Sequence, residues 1–202
     1  MTEIVASNVS KRYGYQWIIK DFSHTFLSNQ ICGISGSNGS GKSTLIKMLS
    51  GFLTPTSGRF DFLIHDNKCQ TDRLFKYVSL AAPYTDLINE YSLEENFAFH
   101  SKFKSMVDCI DFKTFETKIM LKGHSQKTLQ HFSSGMKQKI QLALALMSDT
   151  PILLLDEPTS FLDNNAKKWF SDLLSEYSRD RLVIIASNDH FDLDLCSEVV
   201  HL

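Results

Sequence analysis

"ICGISGSNGSGKSTLIKML", residues 31–49, decides the fold. The opening "ICGISG" reads as a short buried strand that runs into a glycine-rich turn, and "KSTLIKML" spaces its apolar residues for a helix. The turn between them, "GSNGSGKST", fits GxxxxGK(S/T) over Gly36 to Ser43. It lies where such a turn works, directly after a strand and opening a helix. Gly36, Ser37, Asn38, Gly39, Ser40 and Gly41 let the backbone curl so that its N–H groups converge on phosphate oxygens. Lys42 then reaches the terminal phosphates, the Ser43 hydroxyl ligates Mg²⁺, and Thr44 helps to hold the α-phosphate.

Upstream of this turn, "EIVASNV" and "WIIKDFSHTF" alternate apolar and polar residues and predict half-exposed strands of an antiparallel layer. Downstream, Gly51, Pro55 and Gly58 mark a loop before a further strand, "RFDFLI". From about Ile88 to Asp149 the pattern turns helical, in "LEENFAFHSKF", "FKTFETKIML" and "GMKQKIQLALALM", which predicts an inserted helical lobe within one domain spanning 1–202. "PILLLD" and "LVIIAS" return to continuous apolar strands of the parallel, doubly covered kind, separated by a helix from Asp163 to Tyr177.

"PILLLDEPTSFLD" brings Asp156 and Glu157 to the end of such a strand. Apolar walls make charge costly there unless a cation or a water uses it. Asp156 suits a Mg²⁺ ligand acting through water, and Glu157 suits a base that orients and polarises an attacking water.

The 202 residues carry 21 Lys+Arg against 23 Asp+Glu, a net charge of -2. That balance offers no electrostatic footprint for nucleic acid. The terminus "MTEIVASNVS" lacks the apolar core of a signal peptide, and no apolar run nears the roughly 18 residues of a membrane span. A cytoplasmic chain with reduced thiols is the expectation. Four scattered cysteines and seven dispersed histidines predict no protein-built metal site.

With a third motif the chain resembles the nucleotide-binding subunit of an ATP-binding cassette (ABC) transporter, almost end to end. "FSSGMKQ", Phe132 to Gln138, is similar to the family signature LSGGQ and is likewise followed by a helix. Ser134 and Gly135 keep its two most chemical positions and Ser133 precedes them, while a serine replaces the first glycine and Met136 the glutamine. A serine-glycine turn opening a helix is an anion site, because unsatisfied N–H groups and the positive dipole end face outward. "SFLD", ending at Asp163, resembles the D-loop. Tyr13 in "KRYGYQW" stands where the family places an aromatic against adenine, with Tyr15 and Trp17 as further candidates.

The resemblance implies an α/β fold: a P-loop NTPase (RecA-like) parallel-sheet core with an N-terminal antiparallel β layer and an inserted helical subdomain. It also implies Mg-ATP as ligand and a homodimer that sandwiches two nucleotides head to tail, each signature turn facing its partner's ATP. The partner it implies is a transmembrane permease subunit on a separate chain, which would hold this one at the inner face of the membrane. Phe97, Phe99 and Phe103 read either as helix core or as the surface docked against that permease.

Two positions depart from the family. "LAAPYTDLINEYSLEEN", residues 80–96, contains no glutamine where the family has one touching Mg²⁺ and water, and Ala82, Pro83 or Tyr84 takes its place. After the last core strand the family has a histidine on the γ-phosphate, and "IIASND" puts Asn188 there, with His190 two residues on as a surface or capping residue. An amide can donate to a phosphate oxygen but cannot carry charge. Slow hydrolysis by Glu157 with Asn188 is therefore the expectation, with a slow or inactive nucleotide switch as the alternative.

Overall fold

The computed structural model describes residues 1–202. Its first layer is a four-stranded antiparallel sheet of β1 (Glu3–Tyr13), β2 (Gln16–Leu27), β4 (Ser57–Ile64) and β5 (Asn67–Cys69), in the order β2-β1-β4-β5. The alternating pattern of "EIVASNV" is realised as Ile4, Ala6 and Val9 turned inward, with a bulge between Ala6 and Val9 where Asn8 takes a positive φ of 48°.

The second sheet is parallel, in the order β6-β7-β8-β3-β9. It is built from β3 (Gln30–Ser35), β6 (Val78–Ala81), β7 (Ile152–Asp156), β8 (Leu182–Ala186) and β9 (Glu198–His201). Every residue of β7 and β8 is buried, as a sheet covered on both faces requires. Each such Leu, Ile or Val contributes roughly 1.5–3 kcal/mol of burial.

One core lies between the two sheets. There Ile4, Phe22, Phe26 and Phe62 meet Cys32, Ile34 and the apolar side of α1 (Lys42–Leu49). A second core covers the opposite face of the parallel sheet, where Leu153, Leu155, Val183 and Ile185 pack under α4 (Ser134–Leu146) and α5 (Asn164–Tyr177).

The helical stretch between β6 and β7 holds α2 (Leu93–Phe103), α3 (Phe112–Lys118) and α4. A capping box, in which Ser92 and Glu95 each bond the other's backbone N–H, starts α2. The sequence extends the α3 pattern to Leu121, but the helix stops at Lys118, and Met120 takes a left-handed φ of 57°. Phe97 packs against Phe115 with ring centres 4.9 Å apart and planes tilted by 40°, so the second core continues into this stretch without a break. No helix is long and apolar enough to cross a membrane.

Candidate functional site

The loop from Gly36 to Gly41 joins β3 to α1 and is shaped by close contacts. At Gly41, φ is +109° and an added Cβ would meet Ile18 and Ile19 at 2.9 Å, so only glycine fits. At Gly36 an added Cβ would stand 2.5 Å from the Ser40 hydroxyl and 2.8 Å from the Leu202 carbonyl. Gly41 precedes α1, no side chain caps the helix, and its first turn holds no acid. Its N-terminal N–H groups and dipole are therefore left to an anion.

Lys42 is almost fully buried and folds back, donating to the Gly36 carbonyl at 2.8 Å, with its ammonium 3.6 Å from Glu157. A cation tethered to loop carbonyls is one that a phosphate can recruit. A cleft of about 370 Å³ opens over this point, lined by Tyr13, Ile18, Asn38, Gly39, Gly41, Lys42, Ser43, Thr44 and Glu157. Of the aromatic candidates, Tyr13 lines the cleft, half exposed, whereas Tyr15 is fully exposed and neither it nor Trp17 lines it.

At the tip of β7, Asp156 is fully buried and neither carboxylate oxygen has a hydrogen-bond partner. Burial is the main force raising its pKa, and the neighbouring Glu157 adds to it. The Ser43 and Tyr84 hydroxyls and Lys42 pull the other way, but neither hydroxyl closes a bond to it. An unpaired carboxylate facing two hydroxyls offers oxygen donors of the kind a hard cation such as Mg²⁺ takes, and the nearby Lys42 ammonium is no ligand but shares in balancing the carboxylate charge. Tyr84 brings its own buried, unpartnered hydroxyl to this spot. Burial and the Asp156 charge raise its pKa, and the Lys47 ammonium sits 4.1 Å from the centre of its ring.

Glu157 follows with φ +48°, a left-handed conformation that costs a non-glycine residue on the order of 1–3 kcal/mol. Its N–H is held by the Ala186 carbonyl at 2.8 Å and its carboxylate by the Ser187 hydroxyl at 3.1 Å. The one Ser187 proton is shared between Glu157 and buried Asp192, the shorter contact at 2.7 Å, while the Ser187 oxygen accepts from the Asp189 N–H. Asn188, next along, donates its amide to the Asn38 side chain at 2.9 Å. His190 is exposed and opens the short α6 (His190–Asp194), whose cap is Asp189.

The structure does not bring the signature turn to this cleft. Ser134 and Gly135 open α4 beside a separate hollow, which Ser134 lines with Pro83, Thr85, Asp86 and Phe161. The capping hydroxyl of α4 belongs to Ser133, which accepts from the Met136 N–H, and Gly135 lies so close that an added Cβ would stand 3.0 Å from the Phe161 carbonyl. Asp163 caps α5 through the Ala166 N–H and lies outside the cleft. Phe97, Phe99 and Phe103 divide: Phe97 is core, while Phe99 and Phe103 are exposed and form an aromatic row with Tyr91.

Sequence reading missed three residues. Ser187 contacts Glu157 and Asp192 contacts Ser187, but both look like ordinary strand-end polar residues. Gln141 on α4 bonds both the Ala82 carbonyl and the Thr85 hydroxyl, and so pins the turn that carries Tyr84. Nothing in its helical spacing distinguishes it.

The ABC transporter family model matches residues 19–160. The chain is 32% identical over 200 residues to the uncharacterized ABC transporter ATP-binding protein YybJ of Bacillus subtilis (strain 168), covering 96% of this chain and 91% of that protein. It is 30% identical to a probable ABC transporter ATP-binding/permease protein of Haemophilus influenzae across 99% of this chain, but spans only 38% of that longer protein. In three dimensions it matches the dimeric structure of MJ0796, a bacterial ABC transporter cassette, with a TM-score of 0.80 at 21% identity, over 98% of this chain and 94% of that one.

Proposed function

The chain belongs to the ABC transporter family, and from that membership we propose that it is an ATP-hydrolysing subunit whose nucleotide-driven dimer closure powers a separate transmembrane permease. The observation that carries the reading is the convergence, in one cleft, of an uncapped helix after a glycine loop, a tethered lysine, and an unpaired buried Asp156 beside Ser43 and Glu157.

Gly36 to Gly41 and the first turn of α1 would cradle the phosphates, Lys42 would neutralise the terminal ones, and Tyr13 would stack on the base. Ser43 and Asp156 would hold Mg²⁺, which supplies charge neutralisation on the phosphates. Glu157, fixed by Ser187, would accept a proton from the attacking water, a role worth on the order of 10²- to 10⁴-fold. Asn188 would donate its amide to a phosphate oxygen in exchange for Asn38. Tyr84 would stand in the position of the missing glutamine, its free hydroxyl beside the metal site. An amide in the histidine's place fits slow turnover, since Asn188 cannot supply a histidine's charge.

Ser134 and Gly135 lie outside their own chain's cleft, which supports a head-to-tail homodimer in which they and Asp163 face a partner's nucleotide. The permease would dock on the exposed Tyr91, Phe99 and Phe103 row and hold the chain at the cytoplasmic face of the membrane. The test is assembly: Glu157→Gln with Mg-ATP elutes as a dimer and without nucleotide as a monomer, and a monomer in both conditions contradicts the sandwich.

A further inference from the structure

Away from the cleft, three metal-ligating side chains of three different kinds meet between the sheets. His24 stands on β2, Cys32 on β3 and Glu198 on β9, and their donor atoms all lie within 4.8 Å of one another. Cys32 and Glu198 are register partners on parallel strands, so the pleat turns both side chains to the same face. His24 comes from the opposite sheet, its ring held edge-on against Phe26 at 4.6 Å.

The spacing is wider than hydrogen bonding to oxygen and narrower than indifference. The His24 Nε2 is 3.9 Å from the Cys32 sulfur and 3.8 Å from the Glu198 carboxylate, so one nitrogen faces both. Around a tetrahedral ion with bonds of about 2.0–2.3 Å, neighbouring ligand atoms stand about 3.4–3.6 Å apart. The two pairs that share the His24 nitrogen therefore need to close by only a few tenths of an ångström, and the Cys32–Glu198 pair, within 4.8 Å, by about 1 Å at most. The depth is graded: Cys32 is 4% exposed, while the His24 and Glu198 side chains are 18% and 48% exposed. Such a site has a sulfur floor and one side open to a water as fourth ligand.

We propose that His24, Cys32 and Glu198 form a site for a borderline-soft divalent ion of the Zn²⁺ type, clasping β2 of the antiparallel layer to the edge strand β9. Thiolate, imidazole and carboxylate together select such an ion over Mg²⁺, which demands oxygen ligands. The site is independent of the nucleotide reading, since none of the three residues lines the nucleotide cleft.

Cobalt is the probe, because a thiolate-to-Co²⁺ charge-transfer band reports sulfur ligation and is silent at an all-oxygen site. The full chain, reduced and free of nucleotide and Mg²⁺, should develop that band to one ion per chain, and Zn²⁺ should displace it. Cys32→Ser should abolish the band, and Glu198→Gln, at an exposed position, should weaken binding on the order of tenfold or more. No band in the wild type, or a band that persists in Cys32→Ser through Cys69, Cys109 or Cys196, overturns the proposal. Should Cys32→Ser fail to fold, Glu198→Gln decides, and unchanged cobalt affinity there overturns it equally.

Discussion

The Asn188 amide donates to the Asn38 side chain at 2.9 Å, which latches the end of the last core strand to the phosphate-type loop across 150 residues of sequence. On the proposed mechanism, the bond occupies in advance the amide that would meet the γ-phosphate. Asn188→Ala should leave ATP binding within about twofold and slow phosphate release about tenfold, the scale of one lost charge-assisted bond. Asn188→His should turn over at an equal or faster rate, and a collapse would show that the site is tuned around the amide.

The Ser187 hydroxyl, whose one proton is shared with Asp192, is the side-chain group that reaches the strained Glu157 carboxylate, at 3.1 Å. Ser187→Ala should lower kcat on the order of tenfold with KM for ATP nearly unchanged, because the base loses its orientation and the nucleotide loses no contact. A change confined to KM would mean that Ser187 serves binding instead.

Tyr84 is separable from its ring by one atom. Tyr84→Phe should keep metal-free ATP affinity, measured with a fluorescent analogue, and weaken the Mn²⁺ dependence of binding severalfold, on the scale of one neutral hydrogen bond. Tyr84→Gln, which restores the family's residue type, should recover it. Identical Mn²⁺ titrations for wild type and Tyr84→Phe would remove the hydroxyl from the metal site.

His100, between α2 and the end of α4, donates from Nε2 to the Ser148 hydroxyl at 2.8 Å, and Ser148 in turn donates to the Leu144 carbonyl. Burial, aided by Lys104, pushes its pKa down to about 4. The unfolded chain therefore binds a proton below about 6.5 that the native chain refuses, and stability should fall as pH drops from about 6.5 towards 4, by up to roughly 3 kcal/mol. Urea midpoints at pH 7 and 5 check this, and the difference should shrink in His100→Gln.

Much of this architecture is written in local pattern. The 31–49 stretch reads directly because a glycine loop between a strand and a helix has few other foldings, and β7 and β8 read because doubly covered strands must be continuously apolar. The site is legible where one short segment supplies it, as with Lys42, Asp156 and Glu157. It is illegible where partners come from far apart. Ser187 gains meaning only beside Glu157, Gln141 only beside Thr85, and Tyr84 only when the chain turns its hydroxyl onto Asp156. His24, Cys32 and Glu198 are dispersed in sequence, which therefore predicts no protein-built metal site, and it takes strand register, for Cys32 and Glu198, and the packing of the two sheets, for His24, to bring them together. Helix ends were misread where backbone conformation overrides spacing, as at Met120.

Phosphate release is the most direct test of the central claim, that this cleft hydrolyses ATP with Glu157 as its base. It is measured with the purified chain, alone and with the membrane protein that co-purifies with it, against Glu157→Gln under the same conditions. The wild type should release phosphate faster than the variant, by on the order of 10²-fold or more in the complex. A wild type no faster than Glu157→Gln in either state would contradict the account and leave a nucleotide-binding switch in its place.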